Sequence, residues 1–82
     1  MVTVKLFGLL RLDSGVQQFE SKAETVKELY SELIQLAAEN GKIITEKNIK
    51  SSAVLVNGQQ IGRNKKLKDG DQVIFMSVVA GG

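Results

Sequence analysis

One stretch of this chain, between Thr25 and Gly41, repeats its apolar residues at the spacing of an α-helix, and that limits what the rest can become. Val26, Leu29, Tyr30, Leu33, Leu36 and Ala37 fall on a single stripe. Thr25 and Glu28 stand at capping-box spacing: the Thr25 hydroxyl is placed to accept from the Glu28 amide, and the Glu28 side chain to reach back to the Thr25 amide. Asn40 and Gly41 are the residue types that tolerate the geometry of a helix stop. The spacing predicts a helix over 26–39. A lone stripe of this width has to be buried against something, and the other apolar runs all read as strands.

Val2 to Phe7 alternates apolar and polar residues, with Val2, Val4 and Leu6 on one face. Asp13-Ser14-Gly15 reads as a turn, and Val16 to Glu20 as a return strand, which together make an N-terminal hairpin. Lys42 to Lys50 is polar and weakly patterned, an irregular connection. Ala53 to Val56 is a short, continuously apolar strand. Asn57-Gly58 is a hairpin turn and Gln59 to Ile61 a brief return. Gly62 to Lys68 reads as a basic loop, Lys68 to Asp71 as a tight turn, and Gln72 to Val79 as the last strand. The class is α+β: a small mixed sheet covered on one face by one main helix. The β-grasp arrangement satisfies this order, with first and last strands parallel at the centre and the rest of the chain as their long connection. Residues 1–79 form one domain, and residues 80–82, Ala-Gly-Gly, a flexible tail.

Eighty-two residues bury only about 60–65% of the surface that the unfolded chain exposes. The chain has no cysteine and no histidine. That excludes disulfides, thiolate nucleophiles, imidazole bases and the usual zinc or iron–sulfur ligands. Chemistry is left to carboxylates, lysines, hydroxyls or the chain terminus. A net charge of +2 is too small to imply nucleic acid. One Tyr and three Phe also leave few stacking platforms for RNA. Residues Met1 to Leu12 lack the form of a signal peptide, and no run is long enough to span a bilayer. The expected location is the cytoplasm, with no membrane partner.

Four segments, taken in order, resemble the ubiquitin-like sulfur carrier family. They are Phe7-Gly8-Leu9-Leu10-Arg11, Val56-Asn57-Gly58, Leu67-Lys68-Asp69-Gly70-Asp71 and the terminal Val79-Ala80-Gly81-Gly82. The resemblance spans nearly the whole chain. Arg11 and the Val-Ala-Gly-Gly ending make it most similar to the small subunit of molybdopterin synthase, ahead of the thiamine-pathway carriers. The family commonly has prolines before this tail, whereas this chain has Ser77-Val78 there and no proline at all.

The resemblance implies a carrier cycle centred on the Gly82 carboxylate, with Gly81 leaving room for close approach. A ubiquitin-activating-type adenylating enzyme consumes ATP to make the acyl-adenylate. A persulfide sulfur donor then yields a thiocarboxylate. The tail enters the large subunit of molybdopterin synthase and gives its sulfur to a cyclic pyranopterin precursor of the molybdenum cofactor. No cofactor stays bound, and the chain is a cosubstrate rather than an enzyme by itself. Three other readings stand beside it: a carrier for thiamine or cysteine synthesis, a ubiquitin-like modifier joined to lysines through Gly82, and a β-grasp binding or RNA module with an inert tail.

Strand alternation puts Val73, Phe75 and Ser77 on one face of the last strand, and Ile74, Met76 and Val78 on the other. With Val73 and Phe75 under the helix, Ile74, Met76 and Val78 join Phe7 on an uncovered apolar face. Such a face marks a partner surface, continued by Val79 and Ala80 toward the tail. Arg11 either pairs with a partner carboxylate or caps a turn. Arg63, Lys65, Lys66 and Lys68 form either a solvated turn or a guide to an acidic partner. Asp69 and Asp71 have a metal-like spacing, but Asp-Gly turn chemistry accounts for them.

Overall fold

The alternating N-terminal run forms the strand on which the sheet is built. The computed structural model describes residues 1–61 and 66–77. In chain order these give β1 (Val2–Phe7), α1 (Leu9–Ser14), β2 (Gln18–Ser21), α2 (Val26–Glu39), α3 (Glu46–Lys50), β3 (Ser52–Val56), β4 (Gln59–Gln60) and β5 (Gln72–Ser77). The sheet order is β2-β1-β5-β3-β4. β1 and β5 are parallel at the centre, with Val4 opposite Val73 and Leu6 opposite Phe75. The other pairings are antiparallel. This is the β-grasp arrangement.

The pleat separates two faces. Val2, Val4, Leu6, Val54, Val56, Val73 and Phe75 are buried beneath Val26, Leu29, Tyr30, Leu33 and Ala37 of α2. The Tyr30 and Phe75 rings meet with centroids 6.1 Å apart, tilted by 55°. Fully burying a side chain such as Leu29, Leu33 or Phe75 contributes about 1.5–3 kcal/mol. α2 keeps its expected bounds. Its C-terminus closes as a Schellman motif: the Lys42 amide donates to the Ala37 carbonyl (2.8 Å) and the Gly41 amide to the Ala38 carbonyl (3.0 Å). At the other end the Glu28 amide donates to the Thr25 hydroxyl (3.3 Å). The Glu28 carboxylate, however, accepts from the Glu24 amide (2.6 Å) rather than from Thr25. The reciprocal half of that box is therefore shifted by one residue.

Two connections differ from the sequence reading. The link between β1 and β2 is not a tight turn at 13–15 but a helix, α1, and β2 begins at Gln18 rather than Val16. Six residues are too few to show periodicity, yet Leu10 and Ser14, four apart, are both buried. Gly15 ends α1 at φ 70°, its amide donating to the Arg11 carbonyl. Within the expected irregular connection, 46–50 is a helix, α3. Thr45 and Asn48 make its full capping box, and Ile49 is completely buried. The Asn57-Gly58 turn takes positive φ at both residues (52° and 86°), as a two-residue hairpin requires. The Gly62–Lys65 part of the basic loop, with Arg63 and Lys65, lies outside the described residues, as do Val78 and Val79 of the expected last strand. Among the described residues no helix is long and apolar enough to cross a membrane.

Leu33→Ala should remove about 2–5 kcal/mol from a total that, at this length, is on the order of 4–12 kcal/mol. Thr45→Ala should cost about 1 kcal/mol through the lost cap of α3. Urea unfolding followed by circular dichroism measures both. Equal midpoints for Thr45→Ala and the parent would show that α3 is not held by its cap.

Candidate functional site

Because β1 and β5 run parallel and adjacent, their C-terminal ends lie at the same edge of the sheet, with Phe7 beside Met76. Ser77, the last residue of β5, therefore meets the start of α1. Gly8 occupies the N-cap position there with φ 77° and ψ −149°, and it has no side chain to cap the helix. The Ser77 hydroxyl takes that role from 67 residues away: it accepts from the Leu10 amide at 2.9 Å and donates to the Phe7 carbonyl at 3.3 Å. An open helix N-terminus is thus satisfied by the strand that leads into the tail. The fit is close. A Cβ on Gly8 would lie 2.6 Å from the Ser77 hydroxyl and 2.7 Å from its carbonyl oxygen. The second atom is backbone and cannot rotate away, and the Gly8 backbone angles are themselves nearly closed to other residues.

On the face away from α2, the pairing of β1 with β5 sets Phe7 (41% exposed) against Met76 (45%). Ile74 is half-buried on the same face, opposite Leu55 of β3, and Ala53 lies opposite Met76. α1 adds Leu9 (46%) and Leu12 (69%) at the same end of the molecule. Exposed apolar residues therefore gather at the end of the sheet where Ser77, the last described residue, lies. Phe7, Ile74 and Met76 occupy the uncovered face as the alternation predicts. Val78, Val79, Ala80, Gly81 and Gly82 lie outside the described residues.

Arg11 is exposed on α1 and lines a shallow depression of about 200 Å³ with Lys5, Phe7, Gln17 and Gln18. Its backbone carbonyl ends α1 by accepting from Gly15, while no carboxylate among the described residues forms an ion pair with its guanidinium. Lys5 and Arg11 thus give the apolar face a cationic rim. Leu9, Leu12, Gly8 and Ser77 are the members of this site that sequence reasoning did not single out. Once a helix is allowed at 9–14, the three-residue spacing of Leu9 and Leu12 is a weak signal for a shared face. Nothing local to Ser77 points to Leu10.

Asp69 and Asp71 are engaged in local structure. Asp69 pairs with the terminal amine of Met1. Asp71 accepts from the Asn57 side-chain amide (2.9 Å) and the Lys68 amide (2.8 Å), and Asn57 in turn accepts from the Gln72 amide (3.0 Å). These bonds lock the β3–β4 turn to the start of β5, at the opposite end from Ser77. Lys66 forms a bridge with Thr25, and the Leu67 amide donates to the Glu24 carbonyl (2.8 Å). The part of the basic segment that is described is therefore fastened to the start of α2.

Comparison with known proteins agrees with this geometry. The model of the ThiS family matches residues 4–82. Comparison with curated protein sequences finds no match. Among solved structures, small archaeal modifier protein 1 from Methanosarcina acetivorans is similar at 29% identity and TM-score 0.74, covering 99% of this chain and 95% of that one. The Amycolatopsis orientalis BexX/CysO complex matches at 28% identity and TM-score 0.71, with 100% of both chains covered. The complex of subunits 1 and 2 of the molybdopterin-converting factor from Helicobacter pylori 26695 matches at 29% identity and TM-score 0.64, covering 99% and 97%. With a family model that runs from Val4 to Gly82 over a β-grasp sheet, this chain belongs to the ThiS family, among the ubiquitin-like sulfur carriers and modifiers.

Proposed function

We propose that this protein carries sulfur on the Gly82 carboxylate as the small subunit of a molybdopterin synthase. The observation that carries this reading is the apolar face of Phe7, Ile74 and Met76, with Leu9 and Leu12, placed beside the strand end from which the tail departs. A partner docked there receives the tail at the same time. The similarity to the Helicobacter pylori complex of two molybdopterin-converting-factor subunits supports a large-subunit partner of that kind.

The chemistry asks little of this chain's side chains. An adenylating enzyme joins a Gly82 carboxylate oxygen to the α-phosphorus of ATP, and pyrophosphate leaves. A persulfide attacks the resulting acyl carbon and AMP leaves. A thiol then cleaves the acyl disulfide, releasing a thiocarboxylate whose sulfur is the nucleophile passed on. None of these steps needs an imidazole or a thiol from this protein, in keeping with its lack of histidine and cysteine. Gly81 and Gly82 present no side chain to either active site. Lys5 and Arg11 supply rim charges that steer an acidic partner edge. The similarity to small archaeal modifier protein 1 favours one second reading, in which the Gly82 acyl group passes to a lysine amine instead.

Incubation with ATP, an adenylating enzyme and a sulfide source should add the mass of one oxygen-to-sulfur exchange, seen by intact-mass spectrometry. Deleting Gly81 and Gly82 should abolish it. Absence of the gain in folded protein with its cognate activating enzyme would overturn the carrier reading, and lysine-linked adducts would establish the modifier reading. Met76→Glu should leave the fold intact and weaken binding to the large synthase subunit by about tenfold or more, as a charge placed in an interface core does. Ser77→Ala should cost about 0.5–2 kcal/mol as a lost helix cap. Gly8→Ala should cost about 1–3 kcal/mol through backbone strain. Urea midpoints check both, and a Gly8→Ala protein as stable as the parent would rule out the close junction.

A further inference from the structure

β2 is an edge strand, and it is not blunted as the opposite edge is. β4, at the far side of the sheet, is only two glutamines long, a common means of avoiding unwanted pairing. β2 has four residues, Gln18–Ser21. The phase of its ladder follows from its neighbours. The Leu6 amide donates to the Gln17 carbonyl at 3.0 Å, while the Thr3 amide turns the other way, to the Asp71 carbonyl at 3.0 Å. Bonded and non-bonded pairs alternate along an antiparallel ladder. Phe19 and Ser21, opposite Val4 and Val2, therefore bond toward β1. The amides and carbonyls of Gln18 and Glu20 face the open edge.

A trough runs beside that edge. Two cavities of about 460 and 250 Å³ share Phe19, Leu36 and Glu39 as walls, and so form one groove between β2 and the C-terminal half of α2. Its apolar floor is Phe19 and Leu36, both packed against the core. The charged residues lining it are Glu20, Glu32 and Glu39, with no lysine or arginine among its walls. Ser21 donates its hydroxyl to Glu32, which ties that carboxylate to β2. The whole chain carries +2, so this local excess of acid runs against the average.

We propose that the trough binds an extended segment of a partner protein, added as a strand on β2, whose inward-facing side chains run basic, apolar, basic. The open amides and carbonyls of Gln18 and Glu20 specify an extended backbone. Spacing specifies the side chains. On α2, Glu32 and Glu39 flank Leu36 by about one helical turn on either side, roughly 5–6 Å. Alternate residues of a strand lie about 6.5–7 Å apart. An aliphatic side chain seated on Phe19 and Leu36 thus places its second neighbours near the two carboxylates. A second copy of this chain fits poorly, because it would bring the Glu32 and Glu39 carboxylates of each copy to the same junction. The trough lies on the α2 side of the sheet and the Phe7–Met76 face on the other, with Gln17 and Gln18 bordering both the trough and the Arg11 depression.

The test titrates the 15N-labelled full chain at low salt with a seven-residue peptide carrying lysine, valine and lysine at alternate positions and threonine between them. The control has glutamate in place of lysine. Saturable shifts are expected at the amides of Gln18, Phe19, Glu20, Leu36 and Glu39, with none from the control. Glu39→Lys should weaken binding by about two- to fivefold. Gln18→Pro, which removes an outward amide while sparing the ladder to β1, should abolish it. The amide spectrum of each variant shows whether it is folded. Four outcomes would overturn the proposal: no saturable shifts at millimolar peptide, shifts centred on Phe7 and Met76, equal binding of the control, or self-association through β2 without peptide. Thiocarboxylation measured on the same sample is independent of all four.

Discussion

The parallel pairing of β1 with β5 is the constraint on which the rest of this structure depends. A parallel pair cannot be closed by a tight turn, so everything between Phe7 and Gln72 has to cross over and return. That crossover carries α2, among the described residues the one helix long enough to cover the sheet. Burial of its stripe over Val4, Leu6, Val73 and Phe75 holds the two strands together. The same pairing brings the C-terminal ends of the first and last strands to one edge. Gly8 and Ser77, far apart in the chain, become neighbours there for topological reasons before any hydrogen bond forms.

At that edge one hydroxyl does two things. Ser77 accepts from the Leu10 amide at the N-terminus of α1 and donates to the Phe7 carbonyl at the end of β1. The pleat divides the labour along β5 itself: Phe75 is fully buried under Tyr30, while its successor Met76 stands exposed beside Phe7. Core and exposed surface are thus written on alternate residues of one strand, which lets the exposed set vary without disturbing the core. The opposite end of the sheet is secured separately, by Asp71, Asn57 and Lys68.

On the proposed reading, the reactive group is a main-chain carboxylate, and the fold's task is presentation rather than catalysis. That agrees with a composition lacking histidine and cysteine. It also agrees with exposed apolar residues at the end of the sheet where β1 and β5 finish side by side. The trough beside β2 is a different kind of feature, with an open strand edge and acid on its walls. It opens on the α2 side of the sheet, whereas Phe7 and Met76 stand on the other.

The sequence by itself determined the long-period features. The α2 stripe, its bounds, the strand alternation and the resulting faces of β5 were all legible, because each is a repeat sustained over several residues and set by local geometry. The likeness to the ubiquitin-like sulfur carriers was legible from short motifs in a fixed order, and the ThiS family model bears it out. Tertiary structure alone decided the short elements. α1 and α3 have six and five residues, too few to form without packing, and it is Leu10 and Ile49, buried in the shared core, that hold them. It also decided which apolar residues stay exposed at that end of the molecule, adding Leu9 and Leu12 to Phe7 and Met76. The bond from Ser77 to Leu10 spans 67 residues. No local pattern encodes it, because it exists only once the first and last strands lie side by side.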